Sequence, residues 1–246
     1  MSDLTKIQTI IALQVGFNTK LSGSRWLTNP PDYLDAIWTE AAEAFNHTNF
    51  EWWKNKDREV DYGQIKMEVI DILHFLISHI LANSVHIKEP ELLATVFTEG
   101  QVEIKENVDK YPQTLPQLKF VLKKFINIAT LSPSDFKRTE GDSQIHSLIA
   151  GFLVLLHTLK MDWTEIYKLY VGKNLLNTFR QQHGYKKDSD AYKAKWFEIE
   201  GRGWEDNQFL TEFLEVADLD KPVEALQKDI EAVLAYWFHL TKEGID

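Results

Sequence analysis

The sequence predicts an all-α fold, a helical bundle, and three observations predict it. Apolar residues recur at three- and four-residue spacing along most of the 246-residue chain. Alternating Val/Ile/Thr runs closed by Asn-Gly or Asp-Gly turns, the mark of hairpins, are missing. Hydrophobic residues make up 44% and charged residues 26%, enough apolar surface for a substantial core and too much for a disordered chain.

The elements follow in order. Pro30-Pro31-Asp32 opens a helix over 32–46 that carries Trp38, Glu40, Glu43 and Phe45. A second helix is expected over 62–86, stopped before Pro90. From Ile65 through Ile70, Leu73 and Ile77 to Ile80 it is apolar nearly all round, which marks it as central in the bundle. Segments 91–108 and 115–131 are punctuated by Pro112, Pro116 and Pro133, and a further helix covers 145–160. Asp162, with Glu165 three residues on, reads as the N-cap of a helix reaching 183, which Gly184 ends. Helices near 205–217 and 221–241 complete the set. With no repeat or flexible linker, the chain reads as one domain over 1–246.

Charge and composition exclude several functions. With 27 basic against 37 acidic residues, the net charge is −10, which argues against capture of duplex nucleic acid or an anionic membrane and leaves room for a local basic pocket. No cysteine is present, so disulfides, thiolate metal sites and cysteine nucleophiles drop out, in keeping with a reducing, cytoplasmic setting. Met1-Ser2-Asp3-Leu4 does not read as a secretory signal. The longest apolar run, 148–156, falls far short of the roughly 20 residues that span a bilayer.

Chemistry concentrates in paired carboxylates. Glu40-Ala41-Ala42-Glu43 and Glu68-Val69-Ile70-Asp71 each put two acids three apart, on one side of a helix. Alone, such a pair is an ordinary solvated surface feature. Here both lie among apolar neighbours, and four carboxylates gathered in a bundle need cations or protons to compensate them. Carboxylates without thiolates suit hard ions, and Mg²⁺ completes its octahedron with water and substrate phosphate. A di-iron site would want Glu-x-x-His motifs, and none occurs. His74, three after Asp71, is open to two readings, a ligand or a hydrogen-bonded core histidine.

Positive side chains gather after residue 170. Lys173, Asn177 and Arg180 stand at i, i+4 and i+7, one stripe beside the Leu175/Leu176/Phe179 face, and Gly184 lets the chain turn so that Lys186 approaches the same anion. By itself such a stripe also reads as a solubilising face. Gln14 and Asn18 offer amides that suit a nucleobase edge. Trp52-Trp53-Lys54 could stack a base and touch a phosphate, although adjacent tryptophans are more often core.

Together these residues resemble the dimeric, all-α dUTPases of the NTP pyrophosphohydrolase superfamily. The resemblance rests on Gln14 with Asn18, Glu40-x-x-Glu43, Trp52-Trp53-Lys54, Glu68-x-x-Asp71, the run from Lys173 through Asn177 and Arg180 to Lys186, and Glu205-Asp206-Asn207. It implies hydrolysis of dUTP, and of dUDP, to dUMP, with water attacking the β-phosphorus, in a homodimer. It further implies that Glu40, Glu43, Glu68 and Asp71 hold two or more Mg²⁺, Glu40 polarising the water. Lys54, Lys173, Arg180 and Lys186 would hold phosphates. Gln14, Asn18, Trp53, Asp71 and Asn177 would face the nucleoside. Where the family often has Asp-Gly after Lys186, this chain has Lys187-Asp188. Residues 88–145 carry none of these motifs and read as a variable helical insertion. The competing readings are a MazG-like or dCTP-type pyrophosphohydrolase, and a non-catalytic helical regulatory protein that retains a decayed site.

Overall fold

The computed structural model describes residues 1–54, 59–131, 142–185, 187–194, 206–217 and 221–243. Among them no strand occurs, and the fold is all-α as the spacing predicts. The helices are α1 (Asp3–Ser22), α2 (Arg25–Thr28), α3 (Tyr33–Asn46), α4 (Tyr62–Asn83), α5 (Pro90–Glu106), α6 (Leu115–Thr130), α7 (Ser143–Thr158), α8 (Trp163–Gln182), α9 (Ser189–Ala194), α10 (Asp206–Val216) and α11 (Val223–Glu243). They divide into two compact units, 1–166 and 167–246, the division falling within α8.

In the first unit α3 packs on α4 and α6, α6 on α7, α1 on α4 and α5, and α5 on α7. Helices α5 and α6, which fall within 88–145, thus belong to the core, with Leu93, Phe97, Leu122 and Phe125 fully buried. Helix α4 buries Ile65, Met67, Val69, Ile70, Ile72, Leu73, Leu76, Ile77 and Ile80, side chains on every side of it, as its composition predicts. Helix α1 goes beyond the expected set, yet its buried residues Ile7, Ile10, Ile11, Gln14 and Asn18 follow helical spacing.

Most expected boundaries hold within two or three residues, and the end of α4 shows what shifts one. The helix stops at Asn83, because Ser84 turns extended. The Asp142 carboxylate accepts from Ser84 Oγ at 2.5 Å, Val85 N at 2.8 Å and His86 N at 3.0 Å, while Ser84 Oγ accepts from Ile87 N at 2.7 Å. These side-chain acceptors take amides that would otherwise continue the helix.

In the second unit α10 packs on α11. It also comes close to α8 at Gly172, where a Cβ would lie 2.6 Å from Leu214 Cδ1 and 3.1 Å from Leu210 Cδ1. Gly184, at φ +90°, closes α8, with Tyr185 N donating to Arg180 O at 3.0 Å, the bond of a glycine-terminated helix end.

Candidate metal and nucleotide site

Helix α3 starts at Asp32, whose Oδ1 accepts from Leu34 N and Asp35 N, and α4 starts at Asp61, whose Oδ1 accepts from Gln64 N at 3.0 Å. Their facing ends are joined by Asp61 N donating to His47 O at 3.1 Å. The two helices therefore run antiparallel. Glu40 on α3 meets Glu68 and Asp71 on α4, each half-buried, with one carboxylate oxygen apiece all within 4.8 Å of one another. Three carboxylates this close in a partly desolvated pocket repel one another unless a cation compensates them. An all-oxygen set at that spacing fits a hard divalent ion, so these three residues could hold a metal. His47 stands beside them, its Nε2 3.8 Å from Glu68 Oε1.

Glu43 is not among these three and is exposed. Helical geometry accounts for this. The buried stripe of α3 is Ile37, Ala41 and Ala44, and residues three apart on a helix are offset by about 60°. Glu40 lies on the edge of the stripe, and Glu43 falls one such step further toward water.

The expected nucleoside amides occupy a buried network between α1 and α4. Gln14 Nε2 donates to Asn18 Oδ1 and to Ser78 Oγ, both at 3.0 Å, and Asn18 Nδ2 donates to Ser78 Oγ at 2.9 Å. Gln14 Oε1 lies 2.7 Å from His74 Nδ1, and Ser78 Oγ donates to His74 O at 2.8 Å. His74 is thus a hydrogen-bonded core histidine outside the carboxylate group, the second of its two readings. Glu68, Asp71, His74 and Ser78 fall on one polar line along α4. Its first half meets the acid of α3 and its second half the amides of α1.

In the second unit, Lys173 is buried and its Nζ donates to Asn207 Oδ1 at 3.1 Å. Arg180 sets its fork on Asp206, Nε to Oδ2 at 2.8 Å and Nη2 to Oδ1 at 2.7 Å, with Nη1 3.5 Å from Asn177 Oδ1. Burial disfavours the guanidinium charge, and the Asp206 carboxylate outweighs that, holding its pKa well above the ordinary value. Asp206 is also reached by Tyr192 OH at 3.1 Å. The close approach at Gly172 lets α10 present this acid and amide to α8.

Trp52 and Trp53 are 80% and 57% exposed, so they are surface groups and not core. They meet edge to face at 5.7 Å, and Lys54 pairs with Glu51 at 2.8 Å. Lys186 and Glu205 lie outside the described residues. Sequence reasoning did not assign roles to Ser78, His47 or Asp206. For Ser78 a signal existed, polar residues at three- and four-residue spacing down an apolar helix. For His47 the partner is distant in sequence and no local pattern marks it, whereas Asp206 stands in the Glu205-Asp206-Asn207 motif, which carries no assigned role by itself.

No single helix among the described residues is long and apolar enough to cross a membrane. No curated protein matches the chain. A family model described as dUTPase matches residues 6–185, a span that contains the three convergent acids, the buried amides and the cationic turns of α8. With its helices and acids so placed, the chain belongs to the dimeric, all-α dUTPase family.

Proposed function

We propose that the chain is a Mg²⁺-dependent dUTP diphosphatase that converts dUTP to dUMP and pyrophosphate, and dUDP to dUMP and phosphate. The observation that carries the reading is the convergence of Glu40, Glu68 and Asp71 at the α3–α4 contact of a dUTPase-family chain. These three hold the cation, and Glu43 is the fourth acid that the resemblance adds to the Mg²⁺ ligands. A bound divalent ion supplies charge neutralisation for the polyphosphate and makes water acidic enough to react near neutral pH. Glu40 polarises the attacking water. Lys173 and Arg180, with Lys54 and Lys186, take phosphate oxygens, Arg180 through its Nη1 end while Asp206 holds Nε and Nη2. Gln14 and Asn18, with Trp53 and Asn177, position the nucleoside, and Asp71 lies near its sugar hydroxyl. In this reading residues 1–246 work as one catalytic domain, in a cytoplasmic homodimer.

The test is pyrophosphate release from dUTP, dCTP, dTTP and UTP with Mg²⁺ and with chelator. Turnover of dUTP above the other three, lost with chelator, is expected. Preference for dCTP, or broad turnover of all four, would reassign the chain to a dCTP-type or MazG-like pyrophosphohydrolase. Turnover of none would leave a non-catalytic protein.

A further inference from the structure

We infer that His47 is a positioning residue that orients Glu68 toward the cation. Three observations carry it. His47 follows the last residue of α3, and its backbone is fixed at both ends of the group, N donating to Glu43 O at 3.2 Å and O accepting from Asp61 N at 3.1 Å. That clasp joins the C-terminal end of α3 to the N-cap of α4 and brings His47 beside Glu68, seven residues further along α4 on the same side as Asp61. The ring's Nε2 is 3.8 Å from Glu68 Oε1. Its Nδ1 is buried and has no hydrogen-bond partner among the described residues.

The orphaned nitrogen decides the tautomer. A neutral imidazole carries one proton, and placing it on Nδ1 would bury an unpaired N–H while leaving an acceptor against a carboxylate. With the proton on Nε2, the ring presents a donor to Glu68 and leaves only an acceptor unpaired. The 3.8 Å gap is about 1 Å longer than a hydrogen bond, a difference that rotation of the Glu68 carboxylate about its soft terminal torsion can close. Donors that hold a ligating carboxylate in one orientation commonly account for 10- to 100-fold in metal affinity.

The inference rests on the reading of Glu40, Glu68 and Asp71 as metal ligands, and the experiment separates the two. Titration calorimetry with Mg²⁺ and spin-resonance titration with Mn²⁺, both without nucleotide, are run on the wild type, His47→Leu, His47→Ala, His47→Gln and Glu68→Gln. Glutamine puts an amide donor near the position of Nε2. His47→Leu and His47→Ala should weaken the metal about 10- to 100-fold, with His47→Gln within about threefold of wild type. Melting points in chelator identify a leucine or alanine variant that has lost its fold, and glutamine rescue is the readout a purely structural role would not give. Wild-type affinity in a folded His47→Leu or His47→Ala, or a His47→Gln as weak as either, overturns the role of His47. A wild type that binds neither ion, or a Glu68→Gln that binds as well as wild type, overturns the metal reading itself.

Discussion

Arg180 and Asp206 form a two-pronged pair at 2.8 and 2.7 Å, with only 15% and 7% of their side chains exposed. Removing one partner of such a pair strands the other charge in a desolvated place. Asp206→Ala should therefore lower unfolding free energy by about 3 kcal/mol or more, read as a shift of the urea midpoint at pH 7. Arg180→Lys should lose much of the same stability, since an ammonium cannot fork across both oxygens. An unshifted midpoint in Asp206→Ala would mean that the pair adds nothing to the fold.

The three convergent acids and the exposed one should separate in activity. Glu40→Gln, Glu68→Gln and Asp71→Asn each remove a charge from a group whose oxygens all lie within 4.8 Å, and each should cut Mg²⁺-dependent pyrophosphate release about 100-fold or more. Helical circular dichroism should persist, because neutralising one of several crowded like charges relieves repulsion in the folded state. Glu43→Gln should cost less, since Glu43 is exposed and outside that group. Equal losses from all four would place Glu43 alongside the other three in function.

Legibility follows the range of the interaction. Helical spacing and caps are local, so α3 and α8 start within a residue or so of where Asp32 and Asp162 put them, and α4 starts at the expected residue 62. The acids of α3 and α4 could be named from composition, but which of Glu40 and Glu43 turns inward depends on where the stripe of Ile37, Ala41 and Ala44 meets α4. Glu165 shows the same limit. Its spacing from Asp162 suggests a reciprocal cap, yet its carboxylate accepts from Lys66 Nζ at 2.6 Å on another helix. The fork of Arg180 likewise closes on an acid 26 residues away. Such pairings depend on packing, and no window of the sequence contains both partners.

His79 gives the fold a pH dependence of predictable sign. Burial lowers its pKa to about 4, opposed in part by the charge of Asp32. In the unfolded chain the same group titrates near 6.5, so between these values the unfolded state binds more protons and acid favours unfolding. The contribution is complete above about pH 6.5 and declines as pH falls toward 4, by at most about 1.4 kcal/mol per unit. His79→Gln removes this titration. Its urea midpoint should change less between pH 7 and 4.5 than that of the wild type, and parallel profiles would exclude His79 as a source of acid sensitivity.

The remaining expectation concerns assembly. Much of the aromatic content is buried within the chain, with Trp163, Phe97, Phe125, Phe152 and Tyr170 less than 2% exposed. Trp38, Tyr62, Phe120 and Tyr236 instead keep 37 to 61% of their surface exposed, as do Leu4, Leu21 and Leu27 at 40 to 47%. Single exposed apolar groups are ordinary, but in a chain of a dimeric family a second copy is the partner that would cover part of such a set. A two-fold homodimer buries matching patches on both copies, and an obligate one removes on the order of 2,000 Å² or more from water. Two consequences can be measured. Sedimentation equilibrium at micromolar protein should return about twice the 28.6 kDa chain mass, and the melting temperature should rise with protein concentration, because dimerisation stabilises the folded chain by mass action. A monomer at that concentration which still hydrolyses dUTP would show that each chain carries a complete site and that pairing is not required for activity.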